Sequence, residues 1–199
     1  METQNFFMSK EIIFIYLSYL LGCFSTGYYL VRLLNADDIR NHGSHATGAT
    51  NVGRKYGKIG FTITLLGDAA KGAIVVWASF YFELTELGVI LIILAVVLGH
   101  NWPIQLKFSG GKGIATAAGA ILVFNYQLLI VLLVLFGIVY FIFRKYTLSG
   151  LIIIVLTPIV YLTFDPTLIN ELGITALILI ILIAHRNSIR DLVRLLHKK

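Results

Sequence analysis

Residues 99–124 read GHNWPIQLKFSGGKGIATAAGAILVF, and the length of the apolar half constrains the fold. Its first half is polar and rich in glycine, whereas residues 113–124 form an apolar segment. As a helix that segment covers about 18 Å, while the hydrocarbon of a bilayer is about 30 Å thick. The sequence therefore predicts a short membrane helix that begins below the membrane surface, directly after Lys112.

The composition requires a membrane around this stretch. Apolar residues make up 58% of the chain, charged residues 13%, and the mean hydropathy is +0.86. Soluble domains are only about 45 to 50% apolar. We therefore predict an all-α, polytopic membrane protein with seven transmembrane helices in a single domain, residues 1–199. The predicted spans are residues 12–34, 59–82, 87–98, 113–124, 127–143, 148–164 and 168–184.

Basic residues in short loops predict the orientation, because they are retained on the cytoplasmic side. With an external N-terminus, nearly all lysines and arginines, including Lys198 and Lys199 in the tail, fall inside, and only Lys10 falls outside. Asp165 is among the acids predicted outside. The C-terminus is then cytoplasmic. The net charge of +6 suits anionic membrane lipids rather than nucleic acid.

The sequence contains one cysteine, Cys23, within the first predicted span. A single thiol excludes an intrachain disulfide and a cysteine metal cluster. No cofactor and no metal are predicted.

The first polar cluster, residues 43–54, reads GSHATGATNVGR. Its glycines allow positive φ and close approach, so that successive amides can form an anion nest. Side-chain donors come from Ser44, Thr47, Thr50 and Asn51. The segment is therefore predicted to wrap an anion, the alternative being a hydrophilic connector.

The second cluster, residues 99–113, ends in SGGKG, residues 109–113, at the start of the short helix. A helix N-terminus that points into a polar cavity binds anions, and Lys112 adds a full charge. The pattern is not a nucleotide P-loop, since Lys112 is followed by glycine. The alternative is that Lys112 only anchors the chain at the interface.

Two further polar groups lie near or in predicted spans. Asp68 and Lys71 are three residues apart on one face of the second span, where they either neutralise one another or contribute to the anion field. His185 opens the cluster HRNSIR, residues 185–190. It can serve as a general base or as a hydrogen-bond donor to phosphate, or it is an ordinary interfacial histidine. The amphipathic tail, residues 189–196, is predicted to lie on lipid phosphates.

All three loop clusters fall on one predicted side, which indicates an enzyme for a phosphorylated substrate at a bilayer surface. Their motifs, in the same order along nearly the whole chain, resemble the acyl-phosphate-dependent glycerol-3-phosphate acyltransferases of bacterial membranes (PlsY). The matching residues are 38–40, 43–44, 48–54, 99–100, 103, 108–116 and 185–186, and residues 68–72 resemble an intramembrane motif of that family.

The resemblance implies an enzyme of the bacterial inner membrane with its active site facing the cytoplasm. Its substrates would be acyl phosphate and glycerol 3-phosphate, and its products 1-acylglycerol 3-phosphate (lysophosphatidate) and phosphate. By position, Ser44, Arg54, Lys112 and His185 correspond to residues expected to bind phosphate groups or shape the site. Thr147 stands where the family commonly has a serine.

These residues suggest roles in direct attack of the acceptor hydroxyl on the acyl carbonyl. Lys112, Ser44, Thr47 and the amides of Gly110, Gly111 and Gly113 would surround phosphate, aided by Thr50 and Asn51. Arg54 and Arg186 would hold the acceptor, and His185 or the substrate phosphate would take the proton. No strong base is needed, because acyl phosphate already carries a good leaving group.

The sequence departs from the family pattern at four positions: His45, Ala46, Ser109 and Ser188. Asn187 would have to replace an asparagine expected one residue later. An acyltransferase with another acceptor is therefore one alternative. A transporter of organic phosphates is another, because charged residues and a short helix also mark translocation sites. A partner-binding subunit is the third.

Overall fold

The computed structural model describes residues 2–35, 37–164 and 166–197. Within these ranges the chain is helical, with two short 3₁₀ turns at Ile39–Asn41 and Ile104–Leu106 and no strand. The predicted positions of Asp165, Lys198 and Lys199 lie outside the described residues. The helices are α1 (Glu2–Cys23), α2 (Thr26–Asn35), α3 (Ala49–Tyr81), α4 (Glu86–Asn101), α5 (Ile114–Phe124), α6 (Tyr126–Phe143), α7 (Tyr146–Leu162), α8 (Leu168–Ala184) and α9 (Arg186–His197).

Several helix boundaries follow from capping residues. The Thr85 hydroxyl accepts a bond from the Gly88 amide at the start of α4. Thr167 and Asn125 cap α8 and α6 in the same way. Such side chains satisfy amides that have no partner within the helix. The start of α8 therefore agrees with the prediction from sequence.

Two predicted elements differ from the structure. The first predicted span is interrupted at Phe24 and Ser25, which separate α1 from α2. The second predicted span begins earlier, since α3 starts at Ala49 and therefore contains the second half of the cluster predicted as a loop. Gly57 kinks α3 with φ 72° and ψ −166°, a conformation that glycine adopts without a steric penalty.

The helices have the length and composition of a multi-pass membrane protein. Among the described residues, four helical stretches are long and apolar enough to cross a bilayer: Lys10–Leu34, Ala49–Tyr81, Glu86–Leu106 and Tyr126–Phe143. A fifth is counted if α8 and the start of α9, which meet at 61°, form one broken span. The apolar helices α5 and α7 are shorter.

Two glycines allow α3 and α5 to pack closely, because each glycine faces the backbone of the other helix. A Cβ atom on Gly72 of α3 would lie 2.0 Å from the Thr116 carbonyl oxygen. A Cβ atom on Gly119 of α5 would lie 1.9 Å from the Ala69 carbonyl oxygen. Small residues allow membrane helices to approach closely and gain dispersion contacts. This packing fixes where α5 begins relative to α3.

We expect Gly119→Ala to lower the melting temperature in detergent by about 3 to 10 °C, because overpacking costs about 1 to 3 kcal/mol. Gly137→Ala is the matched control, since an added Cβ on that glycine of α6 meets no atom within 4 Å. Thermal unfolding of both purified variants, followed by circular dichroism, measures the difference. Equal melting temperatures would contradict the close contact.

Candidate active site

A cleft of about 460 Å³ opens between the start of α3, the segment before α5, the start of α7 and the junction of α8 with α9. Ser44, Arg54, Lys112 and His185 all line it. Four distant parts of the sequence therefore contribute to one space. Also lining the cleft are Gly43, Ala46, Thr50, Asn51, Phe61, Leu65, Asp68, His100, Gly113, Ile114, Tyr146, Thr147, Leu151, Ile154, Ser188 and Asp191.

The segment that carries Ser44 is held by Arg40. The Arg40 guanidinium pairs with Asp38 at 2.7 Å and donates through Nη1 to the Leu106 carbonyl oxygen at 2.8 Å. The hydrogen bond from Arg40 lowers the pKa of Asp38, so the carboxylate stays charged and the pair persists at neutral pH. Arg40 thus ties the first polar cluster to the turn that precedes the second.

Asn51 organises the same segment from the first turn of α3. Its amide nitrogen lies 3.1 Å from the Ile39 carbonyl oxygen and 2.9 Å from those of His42 and Ala46. Its Oδ1 accepts a bond from the Ser44 amide at 3.0 Å. The Asn51 carboxamide is therefore engaged in positioning Ser44.

Gly43 permits this arrangement for two reasons. Its φ is +55°, and a Cβ atom there would lie 2.3 Å from Oδ1 of Asn51. Both the backbone conformation and the close approach favour glycine. The sequence pattern predicted a segment that wraps an anion, and the structure shows that Asn51 holds this segment in a folded conformation.

The glycines of the second cluster are used differently from the prediction. The Gly110 amide donates to the Asn101 carbonyl oxygen at 3.2 Å, and the Gly111 amide donates to that of His100 at 3.0 Å. These two amides thus bond the protein itself. The amides available to an anion are those at the start of α5, where Gly113 has φ +81° and the first turn has no acceptor within the helix.

Lys112 is half-buried beside the start of α5, and its Nζ donates to Ser188 Oγ at 2.5 Å. Burial lowers its pKa, the nearby positive charge of Arg54 lowers it further, and the charge of Asp191 raises it. Two cations therefore share one poorly solvated space. An oxyanion between them would relieve their repulsion, since an opposite charge stabilises the charged form of each.

His185 caps the end of α8 and is buried. Its Nδ1 lies 2.8 Å from the Ile181 carbonyl oxygen. Because a carbonyl oxygen only accepts, Nδ1 must carry the hydrogen, and Nε2 of the neutral ring is an acceptor. The histidine at the cleft wall can therefore receive a proton at Nε2.

Five predicted binding residues do not line the cleft: Thr47, Gly110, Gly111, Arg186 and Asn187. Thr47 is fully buried, and its hydroxyl has no hydrogen-bond partner among the described residues. Arg186 and Asn187 are exposed on α9. Ser188, one of the four departures from the family pattern, instead contacts Lys112.

The other departures have separate positions. His45 is exposed, and its Nδ1 donates to the Arg40 carbonyl oxygen at 2.8 Å. Ala46 lines the cleft, whereas Ser109 is exposed and does not line it. Among the described residues, no group of three or more histidine, cysteine, aspartate or glutamate side chains could hold a metal ion.

A buried polar trio lies at the edge of the cleft. Lys71 Nζ is 3.1 Å from Asp68 Oδ1 and 2.8 Å from His100 Nδ1. Asp68 and His100 line the cleft, and Lys71 does not. Sequence reasoning assigned no site role to His100, Ser188 or Asp191. A histidine near the end of an otherwise apolar helix was the available signal for His100.

Comparison with known proteins identifies the class. The family model for glycerol-3-phosphate acyltransferase matches residues 12–195. The chain is 47% identical over 175 residues to glycerol-3-phosphate acyltransferase 1 of Desulfitobacterium hafniense, covering 88% of this chain and 87% of that protein. It is 39% identical over 179 residues to the protein of the same name from Bacillus cereus, with coverages of 90% and 98%.

Solved structures agree with this result. The crystal structure of PlsY (YgiH), an integral membrane glycerol 3-phosphate acyltransferase, in its glycerol 3-phosphate form matches with a TM-score of 0.86 at 26% identity, covering 93% of this chain and 92% of that one. The lysophosphatidic acid form gives 0.84 at 25% identity with the same coverages. The chain is an integral membrane protein of many spans, and it belongs to the glycerol-3-phosphate acyltransferase family.

We expect Asn51→Asp to speed amide hydrogen exchange in residues 39–46 by about tenfold or more. The substitution removes a donor to three carbonyl oxygens and places a carboxylate against them, which costs about 1 to 3 kcal/mol. Exchange measured by mass spectrometry on the purified protein tests this. Thr62→Ala, an exposed change on α3, is the control. Unchanged exchange in the aspartate variant would show that Asn51 does not hold the segment.

Proposed function

We propose that this chain is a membrane acyltransferase that moves a fatty acyl group from acyl phosphate to glycerol 3-phosphate. The products would be 1-acyl-sn-glycerol 3-phosphate and inorganic phosphate, the first step of phospholipid synthesis. The observation that carries the proposal is the cleft that collects Ser44, Arg54, Lys112 and His185. Such a space fits two phosphate-bearing reactants.

The names of the relatives support glycerol 3-phosphate as the acyl acceptor more directly than they support acyl phosphate as the acyl donor. Their names specify glycerol-3-phosphate acyltransferase, and the similar crystal structures are glycerol 3-phosphate and lysophosphatidic acid forms. The acyl phosphate donor rests on the motif resemblance and on the chemistry of the site. Activated anhydrides need positioning and charge stabilisation more than covalent help from a protein nucleophile.

The cleft separates polar from apolar groups in a way that suits an amphiphilic donor. Phe61 and Leu65 of α3, together with Leu151 and Ile154 of α7, form apolar parts of its lining. Lys112 and the start of α5 form a cationic part. An acyl phosphate can therefore place its chain on the apolar wall and its phosphate at Lys112.

In the proposed reaction, a hydroxyl oxygen of glycerol 3-phosphate attacks the acyl carbonyl carbon. A new ester bond forms, the bond from that carbon to the phosphate oxygen breaks, and phosphate leaves with the electron pair. Nε2 of His185 or the leaving phosphate takes the hydroxyl proton. Lys112 and Ser44 hold the donor phosphate, and Arg54 with Thr50 and Thr147 holds the acceptor. Roles for Arg186 and Asn187 stay predictions.

We also propose seven spans, with the N-terminus outside, the C-terminus cytoplasmic and the site facing the cytoplasm of a bacterial inner membrane. Counting α1 with α2 as one span and adding α3 to α8 gives this number. The basic residues of the cleft then face the side on which positive loops are retained. Membrane lipids would surround the bundle.

We expect single cysteines at residues 45 and 109, in a Cys23→Ser background, to react with an impermeant maleimide only after the bacterial inner membrane is opened. A cysteine at Thr85, an exposed residue between α3 and α4, should react in intact spheroplasts. The proposed orientation places residues 45 and 109 on the cytoplasmic side of the membrane and residue 85 on the outer side. Labelling of all three from the same side would refute it.

A transport function loses its main support in the structure. The charged residues that suggested a translocation site, Asp68 and Lys71, pair with each other at 3.1 Å and are buried. Lys71 also donates to two backbone carbonyl oxygens. These contacts account for both charges without a transported ion.

We expect Lys112→Ala to lower phosphate release from palmitoyl phosphate and glycerol 3-phosphate at least about 100-fold, because a charge-assisted contact to the leaving phosphate is lost. Lys107→Ala is the control. That lysine is exposed on the same loop and does not line the cleft. The purified enzyme and both variants would be assayed together, with melting temperatures to check folding.

Mass spectrometry of the lipid product from a panel of polyol phosphates identifies the acceptor in the same assay. Full activity of Lys112→Ala would remove that residue from the mechanism. A lipid product from another polyol phosphate, but none from glycerol 3-phosphate, would support the alternative acceptor suggested by the altered motifs.

A further inference from the structure

We propose that His100 is a further substrate-binding residue, which donates a hydrogen bond from its Nε2 to a phosphate oxygen in the cleft. This inference rests on the proposed acyltransferase function and adds a neutral donor to the charged groups already described. It follows from how Lys71 fixes the imidazole ring.

Lys71 is surrounded by acceptors. Its Nζ lies 2.7 Å from the Phe24 carbonyl oxygen and 3.1 Å from that of Gly22. Asp68 Oδ1 is 3.1 Å away and His100 Nδ1 is 2.8 Å away. Only 3% of Lys71 is exposed. A buried charge requires such partners: the three N–H groups of the ammonium donate to the two carbonyl oxygens and to His100 Nδ1, and Asp68 forms an ion pair with it.

This arrangement decides the tautomer of His100. An ammonium group has three donors and no acceptor, so the ring nitrogen that faces it must accept. A hydrogen on Nδ1 would point at the positive charge, since Lys71 Nζ is 2.8 Å away while Asp68 Oδ1, at 3.7 Å, is too far to accept it. The neutral ring therefore carries its hydrogen on Nε2, and a second ring proton is opposed by the ammonium beside it.

The Nε2 end of the ring lies against Gly111, in the glycine-rich segment that precedes α5. A Cβ atom on Gly111 would be 2.0 Å from His100 Nε2, so glycine is needed for the ring to approach the backbone. His100 also lines the cleft although only 2% of the residue is exposed. Within the described residues, no acceptor is paired with Nε2. The free donor therefore lies against Gly111, the residue before Lys112, where the phosphate is proposed to bind.

A neutral donor suits this position. Lys112 and Arg54 already repel each other through the cleft, and a third cation would add to the cost of the empty site. A buried neutral donor contributes to anion binding without that repulsion. Asp68 and Lys71 carry opposite charges, so the trio with His100 has no net charge.

Two substitutions separate this role from a structural one. In His100→Asn, the amide oxygen can still accept from Lys71, but the group at the Nε2 position is lost. In His100→Gln, the longer amide can place an N–H at the Nε2 position, while the acceptor for Lys71 is lost. We expect His100→Asn to lower kcat/KM about 10- to 100-fold, as for loss of a hydrogen bond to a charged group, and His100→Gln to lose clearly less activity than His100→Asn.

A purely structural histidine predicts the opposite order, because the glutamine variant loses the contact with Lys71. If the asparagine variant is as active as the glutamine variant or more so, the inference is wrong while the acyltransferase function stands. A change in KM confined to acyl phosphate or to glycerol 3-phosphate identifies which phosphate receives the bond.

Nitrogen NMR tests the same idea without turnover. In histidine-labelled protein in detergent, the signals absent from His100→Gln are those of His100. They should show the hydrogen on Nε2, and added inorganic phosphate should shift that N–H. A hydrogen on Nδ1, a doubly protonated ring, or an unchanged His100 signal at phosphate concentrations that shift the His185 signals would overturn the inference. Because this measurement needs no acyl transfer, it also decides the matter if the unchanged protein proves inactive.

Discussion

The buried ammonium of Lys71 is the interaction on which the architecture around the cleft depends. It joins the carbonyl oxygens at the break between α1 and α2 to Asp68 on α3 and His100 on α4. Removing any one of these partners would leave a buried charge or a buried polar group without compensation, which is costly at low dielectric. The break in the first span is thus part of a network that links three helices.

The network also contacts the glycine-rich segment before α5, which lies beside the cleft. His100 contacts the glycine segment through its ring and through its carbonyl oxygen, which accepts from the Gly111 amide. The same segment accepts a bond from the Thr47 amide through Gly110. The two polar clusters are therefore held against each other by backbone bonds. Glycines in both clusters allow close packing of the chain, and the Ser44 and Lys112 side chains line the cleft.

The electrostatics of the cleft follow from this rigid frame. Lys112 donates to Ser188 Oγ, and His185 Nδ1 bonds the Ile181 carbonyl oxygen, so these two side chains need little reorganisation when an anion binds. Preorganised donors of this kind stabilise charge more effectively than mobile water. Ser188, which stands where the family pattern has an asparagine, supplies such support, since its hydroxyl accepts a bond from the Lys112 ammonium.

The amino-acid sequence predicts a multi-pass membrane protein, the positions of most helices, and Ser44, Arg54, Lys112 and His185 as site residues, and in the structure these four residues line one cleft. Apolar runs of helical length and the distribution of lysine and arginine are local properties, and the loop motifs carry a family resemblance that the comparisons confirm. What Asn51, Gly110, Gly111 and His100 contact can be seen only in the folded structure. Their partners lie far away along the chain or on another helix, so spacing within one segment could not reveal which amides were already bonded or which ring nitrogen carried the hydrogen.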